Sequence, residues 1–375
     1  MSKIRELDGL RGLLAVWVVG VHLLPSVGID AVRFGPLSPL FGEHLRVQIF
    51  CILSGFVIFL MLDRRQPGYG AFMAGRIRRL YPVYILAFAL SVLMADLVQA
   101  ALAGSPFQGL RLDSRLRITE AAAAQPIAHV LAHVTLLHGV IPRDLLPEAA
   151  YSFLGQAWNI STEFQFYVLA PLLFAGLMTG PVWRRVGVGL LCLGLWQLGL
   201  RYWDNPASLA RYAPYFALGI ASYLAWRRDW RDPGHLTGVR VGFLGIVVFL
   251  GIDLAAGIWV FLLGRLVLRR DQGRGLPGLG WLASRPMLWL GQISYALYLL
   301  HMIPLYLGMY LLNGLDLWRG AYLACLSLFT FALSLPLSWL VCTQIEQRFA
   351  PPSAPKPAGA AHPLPAGQAS GYGPA

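Results

Sequence analysis

Apolar runs recur along this 375-residue chain at the length a lipid bilayer demands. A hydrocarbon core about 30 Å thick takes roughly 20 residues of helix. Runs of that order lie at 9–28, 46–62, 82–103, 158–178, 186–201, 209–226, 239–254, 256–270, 286–312 and 320–342. They predict an all-α integral membrane protein, a bundle of about ten transmembrane helices. Composition supports this: 57% of residues are hydrophobic and 13% charged, against about 45–50% and 25% in a soluble domain. Twelve Trp and 19 Phe also exclude a long disordered chain. The first run follows Lys3 and Arg5 as a secretion signal would. Asp8 and Arg11 interrupt its start, however, and no small-x-small site follows Pro25, so it is expected to stay as an uncleaved helix.

The net charge of +12 would suggest nucleic acid in a soluble protein. Here the basic residues show no alternation with aromatics of the kind that tracks a strand, and nucleic acid is excluded as a partner. Distributed over ten crossings with both termini cytoplasmic, 20 of the 30 basic residues fall inside, 9 outside, and Arg265 within a span. That is the positive-inside pattern. Fusing 239–254 with 256–270 would move Arg269, Arg270, Arg274 and Arg285 outside and erode the bias. The apolar stretch 126–141 carries His129, His133 and His138 and is only 16 residues long. It is expected as an interfacial or re-entrant helix inside a long outer loop, 104–157. Residues 1–349 form the transmembrane domain, and the Pro/Ala-rich 350–375 is expected as a disordered cytoplasmic tail. Cys51, Cys192, Cys325 and Cys342 have no metal-ligand or disulfide spacing and read as small buried apolar residues. No metal is expected.

Ionisable groups inside spans are costly and mark candidate sites. At 1.5 Å per residue, His22, Glu163 and His301 are each expected roughly 20–22 Å above the inner face, and Ser54 about 18 Å. Two imidazoles, one carboxylate and one hydroxyl in one layer suit general-base chemistry, though each alone could merely bond a neighbouring helix. Arg76 and Arg79 share a helical face at the mouth of the third span, where two guanidinium forks can converge on a phosphate. Plain positive-inside anchoring is the alternative for that pair. Asp8 and Arg11, also three apart, are expected to pin the first helix. His129 and His133 share a face while His138 lies about 180° from His129, which argues against a three-His metal site.

At these residues the sequence resembles the acyltransferase-3 family of multi-pass membrane acyltransferases. The matching stretches are IRELDGLRG with His22 thirteen residues after its first glycine, VQIFCILSGFVIF, RIRRLYPVY, AWNISTEFQFYVLAPLL and LGQISYALYLLH. They occur in family order and are followed by IEQRF near the end. The resemblance implies a ten-span acyltransferase of the cell (inner) membrane. It implies O-acylation, commonly acetylation, from cytoplasmic acyl-CoA (acetyl-CoA) as co-substrate to a hydroxyl at the outer face. It further implies that His22 is the base, that Arg76 and Arg79 bear on acyl-CoA, and that Glu163 is the conserved acid, with Trp158 and Ser161 beside it in the same motif. Three positions depart from the pattern: Phe164 replaces a frequent second acid, Asn159 replaces a serine, and Cys51 replaces a phenylalanine.

Both lines of reading lead to one expected mechanism. The coenzyme A phosphates sit at Arg76 and Arg79, the pantetheine arm threads between helices, and the thioester lies in the layer of His22, Glu163 and Ser54. His22 takes the proton of a sugar hydroxyl entering from outside. Whether Glu163 orients His22 or binds the acceptor stays open, as does a transient acyl-enzyme. Arg111, Asp113, Arg115, Arg117, Arg143, Asp144 and Glu148 offer a polar rim that favours a glycan or lipid-linked sugar. Membrane lipid is the other partner, and the oligomeric state is open. A transporter or flippase, or a non-catalytic binding protein, would also place polar groups at mid-depth.

Overall fold

The computed structural model describes residues 4–226, 253–272 and 279–349. The described residues are helical and loop, with no strand. The main helices are α1 (Arg5–Leu23), α2 (His44–Arg65), α3 (Tyr69–Leu93), α4 (Ala95–Ala103), α5 (Leu110–Ala124), α6 (Pro126–Val134) and α7 (Trp158–Met178). They are followed by α8 (Val182–Tyr202), α9 (Leu209–Trp226), α10 (Leu254–Gln272), α11 (Arg285–Leu300), α12 (Met302–Leu312) and α13 (Arg319–Val341). Among the described residues, four helical segments are long and apolar enough to cross a bilayer: Arg5–Val27, Ala31–Arg65, Gly155–Met178 and Arg319–Phe349. Two bent pairs, α3 with α4 and α11 with α12, bring the number to six if each is one span. The expected span 239–254 and the tail 350–375 lie outside the described residues, apart from Asp253 and Leu254.

The runs 82–103 and 286–312, expected as single spans, are therefore each broken, by 59° and 55°. The second break has a legible cause. Pro304 cannot donate to the carbonyl four residues back, and its ring presses on that carbonyl, so the helix yields just before it at His301. The first break, at Met94, contains no proline or glycine.

Small residues let the helix axes approach. Gly12 of α1 lies against Gly291 of α11, and Gly55 of α2 against Gly219 of α9; a Cβ at any of these four would meet neighbouring backbone. In membranes, where lipid is as apolar as leucine, such close van der Waals crossings hold helices together. The contacts also give relative directions. Along α1 and α11, Gly12 meets Gly291 and His22 meets His301, so the two run parallel. Likewise α2 runs parallel to α7, with Cys51 against Asn159, Ser54 against Glu163 and Phe59 against Phe174. Helix α10 runs parallel to α9, through Tyr215–Asp253 and Ser222–Trp259. By contrast α13 runs antiparallel to α11 and α12, since Tyr322 meets Met309 and Cys342 meets Gln292.

Helix α8 buries none of its residues; Leu190, Leu191, Leu195 and Leu198 face outward, as a lipid-facing helix requires. All four cysteines are free thiols. Cys51 and Cys342 are buried as expected, whereas Cys192 is half-buried and Cys325 exposed on outward helix faces. Apolar lipid serves such thiols as well as a protein core does.

Candidate active site

His22 is the penultimate residue of α1, and His301 sits in the break between α11 and α12. Their rings are parallel within 4°, with centroids 5.0 Å apart. Nδ1 of His22 lies 2.7 Å from Nε2 of His301. His301 is fully buried, and its Nδ1 faces the carbonyl oxygens of Tyr298 at 2.9 Å and Leu297 at 3.1 Å. The His22 side chain is 12% exposed, with Nε2 4.0 Å from Oε1 of Glu43. The other Glu43 oxygen accepts from Arg111 at 3.1 Å. Arg111 is in turn placed by Asp30, whose carboxylate accepts from the backbone N–H groups of Leu110 and Arg111 at 3.0 and 3.3 Å. Asp30 thus supplies from a distance the cap that Gly109, having no side chain, cannot give α5.

A cavity of about 690 Å³ opens beside this pair at the loop end of the bundle. Its wall includes His22, Glu43, Arg111, Arg115, Tyr151 and Trp158. Burial pushes the Tyr151 phenol up to about 12, with the Glu43 charge acting the same way, so it is an O–H donor at neutral pH. Trp158 packs on Tyr212 with centroids 5.0 Å apart, which fixes its indole. Gln156 and Tyr298 tie the loop to α11 by two hydrogen bonds of 2.6 Å.

Glu163 does not join the imidazoles. Its Oε1 accepts from the Ser54 hydroxyl and its Oε2 from the Tyr167 hydroxyl, both at 2.7 Å. Arg11, Arg76 and Arg79 lie within electrostatic reach of one another, and Glu163 within reach of Arg11 and Arg76. The Arg76 guanidinium rests over the rings of Phe72 and Tyr167 at 5.6 and 5.9 Å, and its buried Nε has no hydrogen-bond partner. The expected single layer is thus two stations: His22–His301–Glu43 at the cavity, and Ser54–Glu163–Tyr167 facing the arginine end. Phe50, Tyr298, Cys51 and Asn159 lie between them.

The remaining expected residues separate in the same way. Asp8 sits at the arginine end, its backbone carbonyl against Gly291. Ser161 is a clamp on the loop: its hydroxyl donates to the Leu136 carbonyl at 2.6 Å and accepts from the Gly139 N–H at 3.1 Å. His133 and His138 stack face to face with centroids 4.0 Å apart. The Nε2 atoms of these two rings meet the carbonyls of Ala149 and Ala157 at 3.1 and 3.2 Å. Burial lowers both, His138 to about 4, so they are neutral rings packing the loop. Glu43, Asp30 and Tyr167 carried no expectation from sequence. Tyr167 was findable, being one helical turn from Glu163; Glu43 and Asp30 lie in short irregular stretches without a motif.

The chain matches the family described as "Acyltransferase domain" over residues 4–340. Acyltransferase MdmB of Streptomyces mycarofaciens is 24% identical over 386 residues, covering 92% of this chain and 91% of that protein. Exopolysaccharide production protein ExoZ of Rhizobium meliloti is 28% identical over 272 residues, covering 68% of this chain and 74% of that protein. No solved structure matches the chain. With the family match running through nearly all of its described helices, the chain belongs to the acyltransferase-3 family and is a multi-pass membrane O-acyltransferase.

Proposed function

We propose that the chain transfers an acyl group, acetyl in the simplest case, from acyl-coenzyme A to a hydroxyl of a glycan or lipid-linked sugar. The observation that carries this reading is the placement of His22: one ring nitrogen is held by His301, and the other faces Glu43 at the cavity wall. The cavity falls within the roughly 300–1,000 Å³ usual for small-molecule sites. Trp158, Tyr151 and Phe153 offer flat faces for a sugar ring, and Arg111, Arg115 and Gln156 offer donors for its oxygens. The printed role of ExoZ in exopolysaccharide production favours the same acceptor class.

Coenzyme A is a polyphosphate thioester and suits the opposite end. Arg76 has an unspent N–H there, with Arg79 and Arg11 nearby, and paired guanidinium groups favour phosphate. The pantetheine arm would pass the Ser54–Glu163–Tyr167 station to bring the thioester to His22. There the acceptor hydroxyl gives its proton to Nε2 of His22 as its oxygen attacks the thioester carbon. The C–S bond then breaks and the imidazolium returns the proton to the thiolate. General-base help of this kind is worth about 10²–10⁴ in rate. In this reading the chain crosses the cell's inner membrane ten times, with both termini and Arg76 on the cytoplasmic side. The antiparallel packing of α13 against α11 and α12 accords with its last two crossings.

The two bends favour a second reading, because broken helices line the paths of transporters. One experiment separates them. Purified protein in vesicles is given acetyl-CoA labelled in the acetyl group, together with a glycan extract. Release of free CoA with label on the glycan supports transfer. Movement of an intact solute without CoA release would replace this reading with transport.

A further inference from the structure

The hydrogen-bond partners of the two histidines determine where their protons lie. Nδ1 of His301 faces two carbonyl oxygens, which only accept, so this nitrogen carries a proton. His301 is fully buried and its polar contacts are those two carbonyls and His22. An imidazolium there would be a buried charge without a counter-ion, so the ring is neutral and its Nε2 is an acceptor. The 2.7 Å contact then requires Nδ1 of His22 to donate. A neutral His22 with its proton on Nδ1 has its lone pair on Nε2, the atom that faces Glu43.

Resting on the proposed acyl transfer, we infer that His301 is a positioning residue that locks His22 into the Nδ1–H tautomer. Glu43, tethered by Arg111, is the carboxylate placed to receive the charge that develops when Nε2 is protonated. The bend at His301 belongs to this device. The carbonyls of Leu297 and Tyr298 lie four and three residues before His301, and there they accept from its ring. A straight helix would commit the Tyr298 carbonyl to the backbone N–H of Met302. The step balances as acid–base chemistry: the acceptor O–H proton moves to Nε2 while the O–C bond forms. The same proton leaves Nε2 for the departing thiolate as the C–S bond breaks, and the Nδ1 proton stays between the rings throughout. In the opposite tautomer Nε2 would be protonated at rest and unable to begin this cycle.

The test uses full-length protein in lipid vesicles with ¹⁵N-labelled histidine, the His22 signals being assigned by their loss in His22→Ala. At pH 8 the native protein is expected to show His22 protonated at Nδ1 and bare at Nε2. In His301→Leu the His22 proton shifts toward Nε2, and kcat for CoA release falls at least tenfold with the KM for acetyl-CoA within about twofold of native. His301→Gln restores an acceptor oxygen near the lost Nε2 and recovers most of kcat. Glu43→Gln lowers kcat while leaving the His22 tautomer unchanged. A native His22 protonated at Nε2, or a folded His301→Leu protein with native kcat, overturns the inference. The spectra involve no acyl donor, so absence of CoA release from the native protein would sink the proposed reaction while leaving the tautomer to be read on its own.

Discussion

A Cβ on Gly12 would stand 2.5 Å from the backbone nitrogen of Gly291, so α1 and α11 touch through bare backbone. This contact is the fulcrum of the active site. The two helices run parallel from it, and it sets the height at which His22 meets His301. Enlarging Gly12 must therefore separate the imidazoles or break the crossing. Gly12→Val is expected to cost at least the roughly 1–3 kcal/mol of an overpacked core and to abolish CoA release. Gly20, further along α1, faces open space. Gly20→Ala should leave both folding and turnover unchanged. Fluorescence-detected size exclusion with the CoA-release assay checks both, and an active, monodisperse Gly12→Val protein would refute the role of the crossing.

Replacing His22 itself should separate chemistry from folding. The ring is not a core element, since its side chain is partly exposed to the cavity. His22→Gln is expected to fold, to bind acetyl-CoA with native affinity, and to lose about 10²–10⁴ of kcat, the usual worth of a general base. Binding by calorimetry and turnover in vesicles measure the two halves. Native turnover would remove His22 from the mechanism.

Much of this site can be read from the chain, and the remainder has identifiable physical causes. His22 and His301 are legible because each is a polar residue inside an apolar run, and rise per residue sets both at one height. Their tautomers are not legible, because they depend on the carbonyl of Tyr298, freed by a bend, and on that of Leu297 beside it. That bend could be anticipated from Pro304, whereas the one at Met94 has no local signature. Counting rise from assumed span ends also joined Glu163 to the imidazoles, although its nearness to Arg11 and Arg76 sets it toward the other end of the bundle. Cys51 and Asn159, two of the three departures from the family pattern, face each other with Sγ 3.9 Å from Oδ1. Each is unexplained alone and intelligible as a neighbour of the other. Ser161 shares a motif with Glu163, but its place on the helix turns it toward the loop.

At the opposite end, the arginines are not equivalent. Arg78 is exposed, while Arg76 and Arg79 are half-buried, Arg76 within electrostatic reach of Glu163 and Tyr167 and Arg79 within reach of Arg11, Arg76 and Glu346. Arg76→Ala and Arg79→Ala are each expected to raise the KM for acetyl-CoA about tenfold or more with a smaller effect on kcat. That corresponds to about 1.5–3 kcal/mol for a hydrogen bond to a charged group. Arg78→Ala should stay within about twofold of native, in line with the small worth of exposed charges. Saturation kinetics in acetyl-CoA decide this, and equal effects at all three positions would favour simple membrane anchoring.

Glu163 has both oxygens engaged by hydroxyls inside the bundle, so removing either donor exposes part of its desolvation cost. Tyr167→Phe is expected to destabilise the protein by about 1.5–3 kcal/mol, since the bond lost is to a charged acceptor. Ser54→Ala should act similarly. Combining either change with Glu163→Leu, which removes the carboxylate needing the donor, should cost less than the sum of the separate losses. Thermal unfolding in detergent supplies the cycle, and strict additivity would show that the three groups do not form one unit.

The histidine stack predicts how the loop responds to acid. Burial lowers His133 well below the usual 6.5 and His138 to about 4. Between those values the unfolded loop binds protons that the folded loop refuses. Stability is therefore full above about pH 6.5 and falls as pH drops toward 4. For His138 alone the loss reaches on the order of 3 kcal/mol at the bottom of that window, at 1.36 kcal/mol per unit. Hydrogen exchange across 126–157 is expected to quicken as pH is lowered from 7 to 4.5, after correction for the intrinsic rate. His138→Phe keeps a flat ring in the stack with His133 and Tyr84 but cannot titrate. Its exchange should depend less steeply on pH, and a native loop with no such dependence would show that the stack is not buried in the neutral form.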